Sequence, residues 1–399
     1  MNSKELKATF GLGAVYALRM LGVFMVLPIF ELYAKGLPQH PGQAWITAAM
    51  IASALAQALF QILLGRLSDR IGRKPVIAMG MLMFALGSYI AGSSDRIELI
   101  TLGRFLQGAG AISSAVTALL ADVTREEVRT MAMAIMGAGM GLSFVLAIVL
   151  GSAAEDLLGG VRGIFKLTAV LSLVAIPVVW LAVPAPEHRN TAAAPTGSLA
   201  QVFADTELLR LSGGILLLHA AVLCLFTGMP LLIQQEFGWA SDQHWKLYLP
   251  VLVGTLVFAL PLMRRADRGG ARGLLLGSIV LLAAGLLVAG LVPGKIGLIA
   301  GLILFFLPFN LLEGLLPSLV SRRAPPDQKG AALGVYATAQ FLGQPVGGLV
   351  CVWALSHHGP AGLLAVAAML PLLWLCLAYP MRPTPPRARD SEAAAHPST

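Results

Sequence analysis

Apolar residues fill long unbroken stretches of this sequence, and short polar segments separate them. Residues 41–65 include no charged side chain, and neither do residues 75–92. A helix needs about 20 apolar residues to cross the ~30 Å hydrocarbon core of a bilayer, and many stretches here reach that length. The pattern predicts an all-α membrane protein that crosses the bilayer many times.

We predict twelve transmembrane helices in two sets of six. The first set covers residues 8–34, 44–65, 75–92, 98–121, 130–154 and 163–183, and the second covers 208–235, 246–263, 273–292, 296–320, 330–355 and 360–380. The longest connection follows the sixth span and is rich in Pro, Ala and Thr. The predicted domains are an N-terminal six-helix bundle (1–183), a cytoplasmic linker (184–207), a C-terminal six-helix bundle (208–380) and a disordered cytoplasmic tail (381–399).

Composition and charge support a membrane protein over a soluble or nucleic-acid-binding one. The chain is 57% hydrophobic and only 12% charged, whereas soluble domains are about 25% charged. Of its 28 Lys and Arg residues, 20 fall on one side of the predicted spans and six on the other. An excess of Lys and Arg marks cytoplasmic loops. We therefore expect both termini in the cytoplasm, and we attribute the net charge of +8 to topology.

The sequence contains no recognised catalytic or metal-binding motif. It has no Gly-x-x-x-x-Gly-Lys-Ser/Thr loop for ATP, so any transport is expected to use a gradient. Cys224, Cys351 and Cys376 lie far apart in sequence inside predicted spans, which argues against a disulfide framework or a metal site. His357 and His358 have no third ligand nearby in sequence. We expect no enzyme activity, no cofactor and no metal.

A charged segment between the second and third spans, residues 65–74, reads Gly-Arg-Leu-Ser-Asp-Arg-Ile-Gly-Arg-Lys. Basic residues there could serve only to fix topology, but topology does not require the acid Asp69. A degenerate copy follows at residues 267–272, 198 positions later, where Ala271 replaces the counterpart of Arg73. The matching position in each half predicts an internal repeat of this segment.

Ionisable residues within the spans are the candidate site residues. A charge in the hydrocarbon core costs several kcal/mol, so such residues are functional candidates. Glu313 is the only acid well inside a span, and desolvation disfavours its anion, which makes it the best candidate for a proton carrier. The alternative for Glu313 and Arg19 is a structural ion pair between the halves. Arg104 is explained equally well by a functional role and by a structural ion pair.

Polar residues on the same spans complete the candidate cavity. His219 is best explained by a hydrogen bond between helices, although it could titrate. Asn310 lies one turn before Glu313. Gln57 and Gln61 share one helix face, so they line a cavity or bond across helices, and Gln340 has the same two interpretations.

These motifs resemble the major facilitator superfamily, and within it the drug:proton antiporter group. Residues 65–74 fit the family signature Gly-x-Leu-x-Asp-Arg-x-Gly-Arg-Lys between helices 2 and 3. Residues 104–110 are similar to its helix-4 motif Arg-x-x-Gln-Gly-x-Gly, whose Arg is associated with proton coupling. The resemblance implies two six-helix bundles related by an axis along the membrane normal.

The resemblance also implies a latch at the cytoplasmic end. Asp69 is expected to cap helix 11 when that side is shut, Arg73 to pair with Asp122, and Arg70 to hold carbonyls of the loop. Gly65 and Gly72 permit close approach and a tight turn, whereas Lys74 is explained equally well by topology. The predicted gate residues are Gly65, Asp69, Arg70, Gly72, Arg73, Lys74 and Asp122.

The function that the resemblance implies is proton-coupled efflux of small, largely apolar or amphipathic molecules by alternating access. One departure weakens the antiporter assignment: the Gly-Pro pair usual in span 5 reads Gly151-Ser152 here. The alternative is a proton-coupled importer of a sugar, nucleoside or organic anion, with Arg19 and Arg104 binding an anionic group. The expected partners are a small-molecule substrate, protons and membrane lipid. We expect a monomer in a bacterial inner membrane, without the extra C-terminal soluble domain of some relatives.

Overall fold

The structure is a computed structural model that describes residues 1–26, 30–184, 199–239, 243–265, 271–325 and 328–381. Within these ranges the chain forms fifteen helices and no β-strand. The helices are α1 (Ser3–Val26), α2 (Phe30–Lys35), α3 (Gln43–Ile71), α4 (Arg73–Ser93), α5 (Ile97–Ala109), α6 (Ser113–Val123), α7 (Glu126–Leu158), α8 (Val161–Ala182), α9 (Leu199–Ala204), α10 (Thr206–Phe237), α11 (Trp245–Arg265), α12 (Ala271–Leu291), α13 (Gly294–Arg323), α14 (Lys329–Ala367) and α15 (Met369–Ala378). The all-α prediction is confirmed.

Ten helical stretches of the described chain are long and apolar enough to cross a membrane. One of them, Lys329–Ala378, has 50 residues, which at 1.5 Å per residue would extend about 75 Å. Gly359 interrupts this stretch with φ 67° and ψ −174°. The 33-residue helix α7 is not among the ten, although its length exceeds the requirement for a span. The chain is thus a multi-pass membrane protein, and the count of twelve spans stays a prediction.

The charged segment 65–74 is mostly helical, in contrast to the predicted loop. Helix α3 continues to Ile71, and α4 starts at Arg73. Only Gly72 separates them, with φ 101°, a conformation that glycine adopts without steric cost. Arg, Leu and Ser tolerate a helix, so α3 extends past its apolar part and places Asp69 on a rigid helical turn.

The fourth span is two helices, α5 and α6, separated by residues 110–112. The N-cap residue Ile112 offers no side-chain cap. Gln61 of α3 accepts the backbone N–H of Ser114 at 3.1 Å, and the Ser114 hydroxyl donates to the Gln61 carbonyl, also at 3.1 Å. The Gln61 side chain on α3 therefore accepts one of the backbone N–H groups that are otherwise unpaired at the start of α6.

Packing divides the helices into two groups that follow the chain order. In the first, α1 packs on α7 and α8, and α4 packs on α5 and α8; in the second, α10 packs on α14, and α13 packs on α11 and α12. The groups are joined chiefly by α3 with α14 and α7 with α13, and to a smaller extent by α6 with α14 and α7 with α11. The predicted domain boundaries remain predictions, since residues 185–198 and 382–399 lie outside the described ranges. So do residues 266–270, which hold most of the predicted repeat of the charged segment.

Large apolar side chains cover much of the exterior. Leu63, Phe258 and Val352 are 59%, 72% and 75% exposed. Extended apolar surface of this kind is unfavourable in water and is expected where a helix faces lipid.

Two cysteines meet although 127 positions separate them in sequence. The Sγ atoms of Cys224 on α10 and Cys351 on α14 lie 3.5 Å apart, and both thiols are free. Among the described residues, no group of three or more His, Cys, Asp and Glu side chains is arranged to hold a metal.

Candidate functional site

The N-terminus of α14 is capped by a side chain from the other half of the protein. Its own N-cap residue, Gln328, makes no capping hydrogen bond. Asp69 on α3 instead accepts the N–H of Gly330 and the N–H of Ala331, each at 2.9 Å. A helix N-terminus presents unpaired N–H groups and about half a positive charge, and one carboxylate satisfies both. The contact expected of Asp69 is present, and its gating role stays a prediction.

Arg73 connects this cap to a second acid. Its Nη1 donates to Asp69 Oδ1 at 2.5 Å, and its Nε donates to Asp122 Oδ2 at 3.1 Å. Lys329, the first residue of α14, donates to Asp122 Oδ1 at 3.2 Å. Two acids and two bases from α3, α4, α6 and α14 thus form one neutral network at the end of the molecule that carries Asp69, which we call the Asp69 end.

Backbone contact extends the cap into a seam between α3 and α14, which run antiparallel. A Cβ added to Gly65 would lie 2.2 Å from the Gly330 carbonyl oxygen. Further from the Asp69 end, Thr338 Oγ1 donates to the Ala58 carbonyl at 2.7 Å. Only glycine at position 65 allows this approach, and the seam reaches the middle of α3 at Ala58.

A second seam joins α7 and α13 in the same half of the membrane. Thr130 Oγ1 donates to Ser318 Oγ at 3.0 Å, and Arg322 Nη2 donates to the Glu126 carbonyl at 2.9 Å. A Cβ on Gly314 would lie 2.6 Å from the Cβ of Ala134. With both seams formed, the structure is closed at the Asp69 end.

The other predicted gate residues have different surroundings. Gly72 provides the turn between α3 and α4 described above. Lys74 donates to the Val183 carbonyl at 2.6 Å and lies 5.6 Å from the Trp180 ring, so it fastens α4 to α8 within one half. Arg70 is exposed and forms no hydrogen bond with the part of the chain that the structure describes.

Glu313 lies at the junction of the two halves. Its Oε1 is 3.7 Å from His219 Nε2 on α10 and has no hydrogen-bond partner among the described residues. Across the junction, a Cβ on Gly137 of α7 would lie 3.3 Å from the Glu313 Cβ. The structure thus places an acid and a histidine of the C-terminal half against α7 of the N-terminal half.

Gln340 connects this acid to the helix that carries the gate contact. The Nε2 atoms of Gln340 and His219 lie 3.0 Å apart, and His219 Nδ1 is 3.3 Å from the Ile215 carbonyl. Because a carbonyl only accepts and an amide NH₂ only donates, the neutral ring carries its proton on Nδ1. His219 Nε2 then accepts from Gln340.

Arg19 and Arg104 are both fully buried, but they differ in their partners. Arg104 donates from Nη1 to Gln107 Oε1 at 3.1 Å and from Nε to the Ala49 carbonyl at 3.4 Å. Arg19 donates from Nη2 to Gln57 Oε1 at 2.9 Å, while its Nε and Nη1 have no partner among the described residues. Arg104 is therefore held as part of the fold, whereas Arg19 retains binding capacity.

Two other predicted cavity residues serve helix packing. Gln61 bonds the start of α6, as described for the fold. Asn310 Nδ2 donates to Thr255 Oγ1 at 3.0 Å and to the Leu252 carbonyl at 3.4 Å, which joins α13 to α11.

A buried glutamate near the N-terminus was not among the predicted residues. Glu5 accepts the Arg125 Nε at 2.8 Å, and it exchanges side-chain-to-backbone hydrogen bonds with Asn2. Asn-x-x-Glu just before an apolar run resembles a helix-start capping box, so the signal was available in the sequence. The pair fastens the start of α1 to the connection before α7.

These features define a polytopic membrane transporter: two helical groups that pack against each other at one end and enclose a buried carboxyl where they meet. The chain belongs to the Major Facilitator Superfamily, whose family model matches residues 12–348 and 211–398. The family and the fold are those of transporters rather than enzymes. The family predicted from the charged segment is confirmed.

Individual relatives agree with this assignment. The inner membrane transport protein YajR of Escherichia coli is 39% identical over 390 residues, which covers 96% of this chain and 85% of YajR. Multidrug resistance protein 1 of Bacillus subtilis is 23% identical over 88% of this chain and 90% of its own length. The crystal structure of the human organic anion transporter MFSD10 has a TM-score of 0.77 and 20% identity, covering 94% of this chain and 100% of that one, which shows the shared fold.

Proposed function

We propose that this protein exports small, largely apolar or amphipathic molecules in exchange for protons, by alternating access. The observation that carries the proposal is the Glu313 carboxyl, buried where the two halves meet and without a strong partner among the described residues. A relative whose name describes multidrug resistance, from Bacillus subtilis, supports the substrate class. YajR, named as an inner membrane transport protein, supports the location.

Orientation follows from charge. The predicted topology puts 20 of the 28 Lys and Arg residues on the side of the membrane that carries Asp69, and such an excess favours the cytoplasmic side. The network of Asp69, Arg73 and Asp122 then shuts the cytoplasmic face. In this proposal, closure at the Asp69 end represents the part of the cycle in which the exporter releases its substrate and takes up a proton outside.

A proton at Glu313 changes the balance between the two access states. An ionised carboxyl in a low-dielectric site costs several kcal/mol unless it is paired, so the neutral and charged forms favour different packing across Gly137. The membrane potential adds about 2.3 kcal/mol per charge for each 100 mV. That energy is of the same order as the few kcal/mol expected of a cap with charge-assisted hydrogen bonds.

The route from the proton to the gate runs through His219 and Gln340. A proton that moves to His219 Nε2 turns this atom into a donor that faces Glu313. The new N–H of His219 then faces the NH₂ group of Gln340, which is also a donor. The Gln340 amide must therefore rotate away. Gln340 and the Asp69-capped residues Gly330 and Ala331 belong to the same helix, α14, so a change at the acid acts on the gate helix.

The proposal is tested in proteoliposomes with an imposed pH gradient, using ethidium as a cationic dye and carboxyfluorescein as an anionic one. We expect gradient-driven flux of at least one dye in the wild type. Glu313→Gln should remove the dependence on the gradient while dye binding is retained. Glu236→Gln, at an exposed position near the end of α10, is the matched control. Flux that persists unchanged after a protonophore collapses the gradient refutes proton coupling.

A proton-coupled importer of an organic anion is the second candidate. The free donors of Arg19 favour it, since an apolar substrate gains nothing from a buried cation. Inward movement of carboxyfluorescein together with protons, and no outward movement of ethidium, would select this alternative.

A further inference from the structure

The buried side-chain atoms near Arg19 that have no hydrogen-bond partner among the described residues are all donors. Arg19 Nε, Arg19 Nη1, Gln57 Nε2 and Gln61 Nε2 are buried and have no hydrogen-bond partner among the described residues. All four are nitrogen atoms that donate. Gln57 and Gln61 are one turn apart on α3, and Arg19 reaches Gln57 from α1. This part of the N-terminal half therefore offers several donors that no described residue fills.

The unfilled donors of Arg19 carry a charge and are costlier to leave unpaired than those of the neutral amides, which water can satisfy. Arg19 has a relative exposure of 0%, and an unpaired buried charge costs several kcal/mol. The ring of Phe84, 5.0 Å from Arg19 Cζ, supplies a cation–π contact worth about 2 kcal/mol at most, which does not replace a counter-ion. Within the described ranges no carboxylate lies within 4.0 Å of Arg19.

Arg104 shows that this deficit is not a general property of buried arginines in this fold. It is 1% exposed and lies 5.8 Å from the Phe30 ring, much as Arg19 lies against Phe84. Its Nε and Nη1 nevertheless both donate to protein oxygens. The same residue type at similar burial is satisfied in one place and unsatisfied in the other.

We propose that Arg19 and Gln57 form a binding site for a carboxylate. Two carboxylate oxygens match the planar fork of a guanidinium, and such charge-assisted pairs are the strongest hydrogen bonds in proteins. The inference deepens the proposed transport function, on which it rests for its meaning: the carboxylate belongs to an amphipathic substrate or to a small free acid. Arg19 is fully buried in this structure, so the anion reaches it only when the helices around it separate during the transport cycle.

The test measures thermal unfolding of the purified full chain in a neutral detergent, with 2-naphthoate, its uncharged amide and acetate as probes. We expect 2-naphthoate to raise the melting temperature in a saturable way and 2-naphthamide to have no such effect. An equal effect of acetate still supports the site and identifies a small free acid as its source. No effect of either carboxylate overturns the proposal.

Variants separate the site from general stability. Arg19→Gln should weaken the apparent affinity for 2-naphthoate about tenfold or more, and Gln57→Ala should weaken it less. Arg104→Gln, the matched control, should retain the affinity of the wild type. Equal affinity in Arg19→Gln, or an equal loss in Arg104→Gln, overturns the proposal. If Arg19→Gln does not fold, the test is the affinity for 2-naphthoate in Gln57→Ala compared with that in Arg104→Gln. Equal affinities in these two variants overturn the proposal.

These outcomes are independent of proton coupling, because binding is measured at equilibrium without a gradient. Glu313→Gln should still bind 2-naphthoate, even if the proton step assigned to Glu313 is wrong. Gradient-driven flux of ethidium without any carboxylate binding would instead overturn the Arg19 site and leave the proposed function standing.

Discussion

Asp69→Asn is the substitution that isolates the cap on α14. The change is nearly isosteric, but an Asn side chain has a single acceptor oxygen and no charge. It can accept the N–H of Gly330 or that of Ala331, which Asp69 accepts together at 2.9 Å each. It also removes the ion pair with Arg73. We expect the closed state at the Asp69 end to lose stability relative to the open state.

The size of the effect follows from the hydrogen bond and the negative charge that the Asn side chain does not supply. A hydrogen bond to a charged group contributes about 1.5–3 kcal/mol, and an anion at a helix N-terminus contributes up to about 2 kcal/mol in partly buried geometries. The Asp69 side chain is only 3% exposed, so its desolvation cost offsets part of this. A net loss of about 2 kcal/mol changes the ratio of closed to open molecules roughly 30-fold.

The assay is cysteine accessibility at Ser318, which is fully buried in the seam between α7 and α13. Ser318→Cys is introduced after Cys224, Cys351 and Cys376 have been replaced by serine. A membrane-impermeant maleimide, applied from the cytoplasmic side of oriented vesicles, should label the Asp69→Asn variant many times faster than its parent.

Arg70→Gln is the matched control for this measurement. Arg70 neighbours Asp69 on the same helical turn and is exposed, so its loss alters local charge without altering the cap. Equal labelling rates in the Asp69→Asn and Arg70→Gln variants would show that the cap does not hold this face shut.

Two further substitutions test other parts of the structure. Gly65→Ala places a Cβ 2.2 Å from the Gly330 carbonyl oxygen. We expect it to separate α3 from α14 and to raise the labelling rate of Ser318→Cys. Gly254→Ala is the control and should leave that rate unchanged, because nothing lies within 4 Å of its new Cβ. Asp205→Ala removes both the N-cap of α10 and the bond from Arg323, and it should lower the free energy of unfolding by about 1–2 kcal/mol. Burial raises the pKa of Asp205, but bonds from Arg323 and two backbone N–H groups outweigh it and hold that pKa below its ordinary value. This contribution is therefore present above about pH 4 and lost as the pH falls further; a thermal-unfolding difference between wild type and variant that stays constant down to about pH 3 would contradict it.

Much of the gate was predictable from sequence because its residues lie in one continuous segment. An acid within a basic segment is unnecessary for topology, and that oddity singled out Asp69. Its partner Asp122 was suggested by the family resemblance alone. The helical state of residues 65–74 was missed, because a run of charged residues between apolar stretches suggests a loop although Arg, Leu and Ser tolerate a helix well.

The buried site was less predictable, since burial and residue type do not reveal which hydrogen bonds are satisfied. Arg19 and Arg104 are each a lone cation in an apolar span, and the motif around Arg104 does not say which donors are filled. Only the three-dimensional arrangement shows that Gln107 serves Arg104 and that Arg19 keeps free donors. Gln61 likewise looks like a cavity residue, but it supports the break in the fourth span, which no local sequence rule indicated.

Helix α14 carries both the capped residues and the contact with His219, the histidine beside Glu313, and this favours direct coupling between the gate and the buried acid. Helix α14 carries Ala331 in the cap and Gln340 beside His219, about nine residues or about 14 Å further along its axis. Beyond them, a Cβ on Gly343 would lie 2.4 Å from the Leu216 carbonyl oxygen of α10, so that part of α14 moves with the C-terminal half. A change at His219 therefore acts on the same rigid helix that Asp69 holds, and no long chain of side chains is needed to carry it. Gln340→Ala should then leave the cap intact but make its opening independent of the state of Glu313, which the Ser318 labelling rate in Glu313→Gln, with and without Gln340→Ala, measures directly.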